Sequence, residues 1–496
     1  VQAGAGHNAL ELSGFFSIQV VSNFMGFPGF NDVEAKIEQA LEEFAQKGIT
    51  DEELKRVKAV YNASFVDQLN SVSGKALRLS HWHQMKGNGY NLDDEIKRYD
   101  AVTKEDVMRV FKRYVYNKKK VIIQVSREAP KEGDDKRSKS VNPHAHKQKV
   151  TDVQYRGLSY QPPVDAFDRS KQPTVPAATA PQLPNYYTTT YDNGLKLIGV
   201  EEYESPKVRI SINIDGGHLM ESGKKVRTGT AALLANLMGE GGTPDMTPEE
   251  FEEQLDLLGA GIYWGSGTYG TNIYVEAMAD KMEETMKLLK GNLFTPRFDE
   301  SDFKRLKKQT QEGIKNQKTS PGVMARKAYS QLLYGGSILE EYYTGDYNSV
   351  KKISLQSCKD FYNNYYSPNV TTVSVVGAMS QADIEKHLGF LKEWKNKNVR
   401  VPALPEFKPL PKTKIYLIDK PYAAQSVVMI GQRSNKYDYD GDYYKSTVMN
   451  FALGGAFNSR INLNLREDKG YTYGARSFFW GGKTDGGYTA TASVRA

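Results

Sequence analysis

Stretches about 250 residues apart repeat one another in order, and this constrains the fold more than any single motif. DEELKRVK (51–58) corresponds to ESDFKRLK (300–307), and VTKEDVMRVFKRY (102–114) to ISLQSCKDFYNNY (353–365). VIIQVS (121–126) corresponds to TVSVVG (372–377), while a fainter match outside this 250-residue repeat sets SGFFSIQV (13–20) on GGYTATAS (486–493), so the chain ends roughly where its own beginning would align. The offset holds through helical and strand-like segments alike, the mark of a duplicated unit. The chain reads as the rear of one two-domain half followed by most of the next. Its first residues resemble a domain interior and its last ones end inside a sheet, leaving an unpaired edge, so a piece of a longer protein is expected.

Local patterns divide the chain into five parts. Residues 1–126 form the rear domain of the first half. A strand at 13–20 precedes a helix N-capped at Asn31–Asp32, whose stripe of Val33, Ile37, Leu41 and Phe44 stops at Gly48. Thr50 and Glu53 form a capping box for the next helix, with Leu54, Val57, Tyr61 and Phe65 as its apolar positions. Helices near Ala76–Met85 and Val107–Tyr114 follow, then VIIQVS as a buried strand. Residues 127–185 hold eight of the 20 prolines and no sustained apolar period, and read as an inter-half linker that lets two bodies move.

Residues 186–395 form a new domain. Asp192-Asn193-Gly194 is a hairpin turn, and VRISINI (208–214) is a further strand. A helix runs through Thr230–Met238, and Thr247-Pro248-Glu249-Glu250 caps another that closes at Gly259. Two strands in 260–277 and a helix at Met282–Leu289 follow. Residues 396–412, with four prolines, are a second linker. The last domain, 413–496, opens with IYLIDK (415–420) and SVVMIG (426–431) as strands. The layout is α+β, with tandem repeated domains of antiparallel-rich sheet and helices on one face.

Composition excludes several classes. A formal charge of +7 over 496 residues is small, and the most basic run, Lys131–Lys149, is interleaved with Glu132, Asp134 and Asp135, unlike a nucleic-acid stripe. Cys358 is the single cysteine, so neither a disulfide framework nor a thiolate zinc site is available. No apolar run is long enough to span a membrane.

The stretch Tyr443–Phe479 carries the most chemistry. It reads as a helix stopped by Gly454–Gly455, then a second helix with Ile461 and Leu465 on one stripe. Gly470 suits a left-handed exit, and a strand follows from Tyr471. Arg466 closes the helix and Tyr473 opens the strand, so a sharp turn can aim a guanidinium and a phenol at one cleft. The first forks onto a carbonyl or carboxylate, and the second donates to an oxygen gaining charge. Taken alone, the two residues read more readily as a surface cation in a helix's last turn and a tyrosine packed on a sheet.

The whole run LGGAFNSRINLNLREDKGYTYG resembles the signature in the C-terminal half of insulinase/pitrilysin zinc metallopeptidases, which include the mitochondrial processing peptidases. Ser459, Arg460, Leu465, Arg466, Glu467, Gly470 and Tyr473 match its S-R-x-x-x-x-L-R-E-x-x-G-x-x-Y pattern. The resemblance implies clamshell halves joined by a linker, with Gly454, Gly455, Arg466 and Tyr473 at the substrate. It also implies that Arg466 and Tyr473 assist catalysis at a zinc site in the other half, by stabilising the tetrahedral intermediate.

The family's inverted zinc motif, H-x-x-E-H, falls on Gly229–Leu237 in this chain. There its histidine, glutamate and histidine are Ala232, Ala235 and Asn236, and the third ligand falls near Glu312–Gly313. Two methyls and an amide cannot hold or activate a zinc-bound water. No metal is therefore expected on this chain, with zinc implied only in the complete protein. The histidines supply no substitute: His81 and His83 point about 200° apart on a helix, and His144 and His146 lie in the linker. His7, His218 and His387 are isolated. The implied partners are a peptide or unfolded polypeptide and the missing N-terminal half, or an equivalent catalytic subunit. No nucleic acid and no membrane span are expected. The alternative is a scaffold or peptide-binding homologue without zinc chemistry. A bacterial extracytoplasmic setting is suggested by the family alone.

Overall fold

The computed structural model of the chain describes residues 2–495 apart from 11, 22–28, 88–91, 126–167, scattered positions between 169 and 181, 224–225, 319 and 406–411. Residues 1–121 and 185–496 form one compact unit, and 122–184 a second. Most of the 127–185 segment expected to be a linker lies outside the described residues.

Two strands open the chain, β1 (Gln2–Ala9) and β2 (Gly14–Val21), paired antiparallel. Helices Phe30–Lys47, Asp51–Gln68, Val72–Lys86, Leu92–Asp100 and Lys104–Tyr114 follow. The Thr50 box closes as the sequence predicts: Glu53 N–H donates to Thr50 Oγ1 at 3.1 Å, and Thr50 N–H to the Glu53 carboxylate at 2.7 Å. The first helix departs from expectation. It begins at Phe30 after Gly29, with no side-chain cap, so Asn31 and Asp32 lie inside its first turn.

Alternation in the sequence builds the central sheet. In β5 (Lys207–Asp215), Val208, Ile210, Ile212 and Ile214 point inward, as do Ile273, Val275 and Ala277 of β7 (Gly270–Met278). With β3 (Tyr187–Thr190), β4 (Lys196–Glu201), β6 (Gly261–Ser266) and β8 (Thr371–Gly377), the strand order is β3-β4-β8-β5-β7-β6. Every pairing is antiparallel except β4 with β8. Leu233, Leu234, Leu237 and Met238 of helix Thr230–Gly239 join this core, with Leu289, Leu293 and Phe361 from neighbouring helices. Each such side chain, fully buried, stabilises by about 2 kcal/mol.

The first part of the chain is seated on this body. Gly259 ends helix Pro248–Leu258 at φ +59, and a β-carbon there would stand 3.0 Å from Ala59 O and Ala63 Cβ of helix Asp51–Gln68. Only glycine permits both that conformation and that approach. Arg56 pairs with Glu253 at 2.9 Å, and Lys207, almost fully buried, is held by the Asp67 carboxylate.

The last sheet runs β10-β11-β9, from β9 (Gln425–Arg433), β10 (Thr472–Gly481) and β11 (Gly486–Arg495). The chain's last strand is thus central, with both edges paired, contrary to the expected open edge. Helix Pro321–Tyr334 docks on this sheet. Tyr329 Oη donates to Tyr488 O at 3.1 Å, and Tyr334 Oη to Asp485 at 2.8 Å; Tyr269 Oη donates to the same carboxylate.

Two predicted strands do not form. Residues 121–125 of VIIQVS and 415–420 of IYLIDK join no described ladder, and Val121, Ile123, Ile415 and Leu417 are exposed. An apolar alternating run becomes a strand only where a neighbour accepts its backbone hydrogen bonds. The repeat itself is visible in the helices. Asp51–Gln68 and Glu300–Gln317 each have 18 residues, and Lys104–Tyr114 and Leu355–Tyr365 each have 11.

Candidate functional site

Helix Asp442–Asn450 runs into a π-helical turn, Phe451–Gly455. After Ser459 a short α-turn, Arg460–Asn462, widens into a second π-helical stretch, Leu463–Asp468. Such wide turns recur at functional sites because they displace side chains from the regular helical face. The exit is tightly closed: Gly470 N–H donates to Arg466 O at 3.1 Å and Tyr471 N–H to Leu465 O at 2.9 Å. Gly470 takes φ +64, the left-handed conformation anticipated from sequence.

Gly454 is buried where a β-carbon would lie 2.1 Å from Ser477 Oγ, so its lack of a side chain lets the helix meet β10. Gly455 beside it is exposed. Asn450 and Ser477 lock this contact reciprocally. Asn450 Nδ2 donates to Ser477 O at 2.7 Å, and Ser477 Oγ donates to Asn450 Oδ1 at 2.6 Å.

Strand β10 carries a bulge: Thr472 faces Val494 and Ala475 faces Ala492, so Tyr473 and Gly474 together oppose Ser493. Ala475 and Ser477 are buried beneath the helices, and strict alternation would turn Tyr473 toward the same covered face. The extra residue breaks that period, and Tyr473 is 91% exposed. Arg466, on the other side of the Gly470 turn, lays its guanidinium over the Phe457 ring at 4.5 Å and pairs through Nε with Glu467 at 3.3 Å. Stacking uses the flat face and leaves in-plane N–H donors for an oxygen ligand.

Helix Thr230–Gly239, where the inverted zinc motif was expected to fall, is a core helix. Ala232 and Ala235 are buried, Ala235 completely, while Asn236 is exposed. The Glu221 carboxylate accepts Gly229 N–H at 3.0 Å and Ala231 N–H at 2.7 Å, satisfying the helix's first turn. His218 Nδ1 stands 2.6 Å from Glu221, and its Nε2 stands 3.0 and 3.1 Å from Ile338 O and Glu341 O. Burial opposes charge on this imidazole, but the carboxylate and the two carbonyls outweigh it and raise its pKa. These residues do not fit zinc. Among the described residues no cluster of three or more His, Cys, Asp or Glu is placed to hold a metal ion. The Glu312–Gly313 position lies on helix Glu300–Gln317, and His81 and His83 are exposed on helix Val72–Lys86. His144 and His146 fall outside the described residues. Cys358 is buried, its thiol pushed up to about 12 by burial, so it is a poor nucleophile. No described helix is long and apolar enough to cross a membrane.

Residues 198–340 match the family model described as insulinase, peptidase family M16, and residues 352–494 match the M16 inactive domain. The chain belongs to the M16 family. It is 24% identical over 292 residues to the "uncharacterized zinc protease YmxG" of Bacillus subtilis, spanning 58% of this chain and 69% of that protein. It is 23% identical over 298 residues to the "non-peptidase homolog YmxG" of Helicobacter pylori, spanning 56% of this chain and 67% of that protein. Among solved structures it resembles a peptidase M16 inactive domain from Pseudomonas fluorescens at TM-score 0.59 and 26% identity, over 63% of this chain and 75% of that one. It resembles the periplasmic protease PqqL of Escherichia coli in fold, at TM-score 0.53 and 15% identity, over 64% of this chain but 36% of the other.

The M16 signature was legible in Arg466, Gly470 and Tyr473. Asn450 and Ser477, which lock the helix to β10, were not. Their one trace in sequence is a polar side chain where the pattern favours an apolar one, an amide on the helix and a hydroxyl on the strand.

Proposed function

We propose that this chain carries the non-catalytic half of an M16 peptidase, offering Arg466 and Tyr473 to a peptide bound against a zinc site carried by another domain or subunit. Arg466 binds a backbone carbonyl or a carboxylate of an unfolded polypeptide through its in-plane donors. Tyr473 donates its phenolic proton in a hydrogen bond to the substrate oxygen as charge develops there. Residues Ala232, Ala235 and Asn236 contribute no metal chemistry. One observation carries the reading: the bulge in β10 keeps the Tyr473 phenol out in solvent instead of under the helices.

A second reading, a peptide-binding homologue without hydrolysis, draws on the H. pylori relative, named a non-peptidase homolog. Both readings require peptide binding at Arg466 and Tyr473. The purified chain is titrated with fluorescently labelled β-casein as an unfolded probe, beside Arg466→Ala and Tyr473→Phe. Weaker binding by both variants supports the site, and unchanged binding removes it. Addition of a catalytic M16 half separates the readings, since only the first predicts that this chain raises casein cleavage.

A further inference from the structure

We infer that Asn462 is the positioning residue that sets the aim of Tyr473, an inference resting on the peptide-binding reading above. Asn462 is 3% exposed and sits where the α-turn widens into the π-helical stretch. Its two amide atoms reach opposite sides of the signature. Oδ1 accepts the Ala475 N–H at 3.0 Å, the first residue after the bulge, and Nδ2 donates to Phe457 O at 2.6 Å. Phe457 is the residue whose ring supports the Arg466 guanidinium. One buried side chain therefore ties the backbone under Arg466's platform to the backbone that releases Tyr473.

The chemistry of a bulge explains the need. An extra residue disrupts the ladder locally, and a buried N–H without a partner costs free energy comparable to a lost hydrogen bond. Asn462 gives the Ala475 N–H its acceptor. Thr472 Oγ1 does the same for Gly474 N–H at 3.1 Å while donating to Ser493 O at 2.7 Å. Take Asn462 away and the strand regains stability by closing toward regular pairing. Closing turns Tyr473 toward the face that Ala475 and Ser477 occupy. Asn462 touches no substrate and acts only through the backbone it holds.

A double-mutant cycle on the full chain tests this with labelled β-casein as the probe. Tyr473→Phe is expected to weaken binding about three- to tenfold, the net worth of one hydrogen bond. Asn462→Ala is expected to weaken it by a similar factor, and to add less than about 1.5-fold in the Tyr473→Phe background, because the residues act as one unit. Equal losses in both backgrounds overturn the positioning role, whereas no effect of Tyr473→Phe overturns the peptide-binding reading itself. A second measurement guards against simple unfolding. 3-Fluorotyrosine placed at position 473 alone should shift and broaden its fluorine resonance in Asn462→Ala at temperatures where circular dichroism is unchanged. An unmoved resonance also overturns the inference.

Discussion

His218 Nδ1 lies 2.6 Å from a Glu221 oxygen, with both side chains shut off from solvent. Every neighbour of the ring nitrogens at hydrogen-bond distance is an acceptor: the carboxylate on one side, Ile338 O and Glu341 O on the other. An arrangement of acceptors on both sides favours the form in which both nitrogens donate, and the pKa of the ring is raised accordingly. The pair anchors the helix that carries Ala232 and Ala235 to the loop after helix Pro321–Tyr334.

This fixes the sign of a pH effect. The folded pKa of His218 is raised above its ordinary 6.5, so its stabilisation is complete below that value and lost as pH climbs through the folded pKa. Urea midpoints taken upward from about pH 6.5 should fall more steeply for the native chain than for His218→Gln. Parallel curves would show the imidazole is neutral. Glu221→Ala, which strands a buried cation and two helix N–H groups, should cost about 3 kcal/mol at neutral pH.

The seam beneath the last sheet rests on Asp485, which takes hydrogen bonds from Tyr334 and Tyr269. Burial, then the nearby carboxylate, hold both phenols well above the ordinary tyrosine range, so they stay donors at all working pH values. Tyr334→Phe should cost about 1.5 kcal/mol, as for a hydrogen bond to a charged group. Asp485→Ala should cost more, because it removes the acceptor that both phenols share. Hydrogen exchange is the measurement, and protection lost in 425–495 with the central sheet unchanged is the expected pattern.

A third prediction concerns the seat of the first part of the chain. Lys207 is buried, with Asp67 against it and Glu276 at 3.9 Å, and Arg209 also reaches Asp67 at 3.0 Å. Asp67→Ala leaves that ammonium with one distant partner, at a cost of about 2 kcal/mol. Helix Asp51–Gln68 should exchange amide hydrogens faster while the packed strands β5 and β7 do not. Unchanged exchange in that helix would mean that the close contact at Gly259 with Ala59 and Ala63, with the Arg56–Glu253 pair, is enough to seat it.

Features written in local chemistry were readable from sequence. The Thr50 and Thr247 boxes, the Gly48 and Gly259 stops and the left-handed Gly470 each depend on residues within one turn of each other. The pairing of 121–125 and 415–420 was not readable, because a strand's existence depends on a distant neighbour that sequence spacing does not supply. The bulge in β10 was hidden for the same reason. It is defined by Ser493 across the ladder, and Tyr473, the residue it redirects, looks like any alternating strand tyrosine.

Writing H-x-x-E-H into positions 232–236 should not create a metal site. Asn236 is exposed, so Asn236→His should shift stability by no more than about 0.5 kcal/mol. Ala235 is completely buried on a helix whose Leu233, Leu234, Leu237 and Met238 fill the core. A glutamate there has neither room nor a cation, so Ala235→Glu should cost about 3 kcal/mol or more and add no zinc affinity. Denaturant midpoints and metal analysis of the single and triple variants, with Ala232→His completing the motif, give the answer. A stable triple variant that retains zinc through dialysis would show that this face still opens onto a site, and that the helix lost its ligands without being repacked. The complete burial of Ala235 argues against that outcome: the core is packed closed where the motif would need a carboxylate.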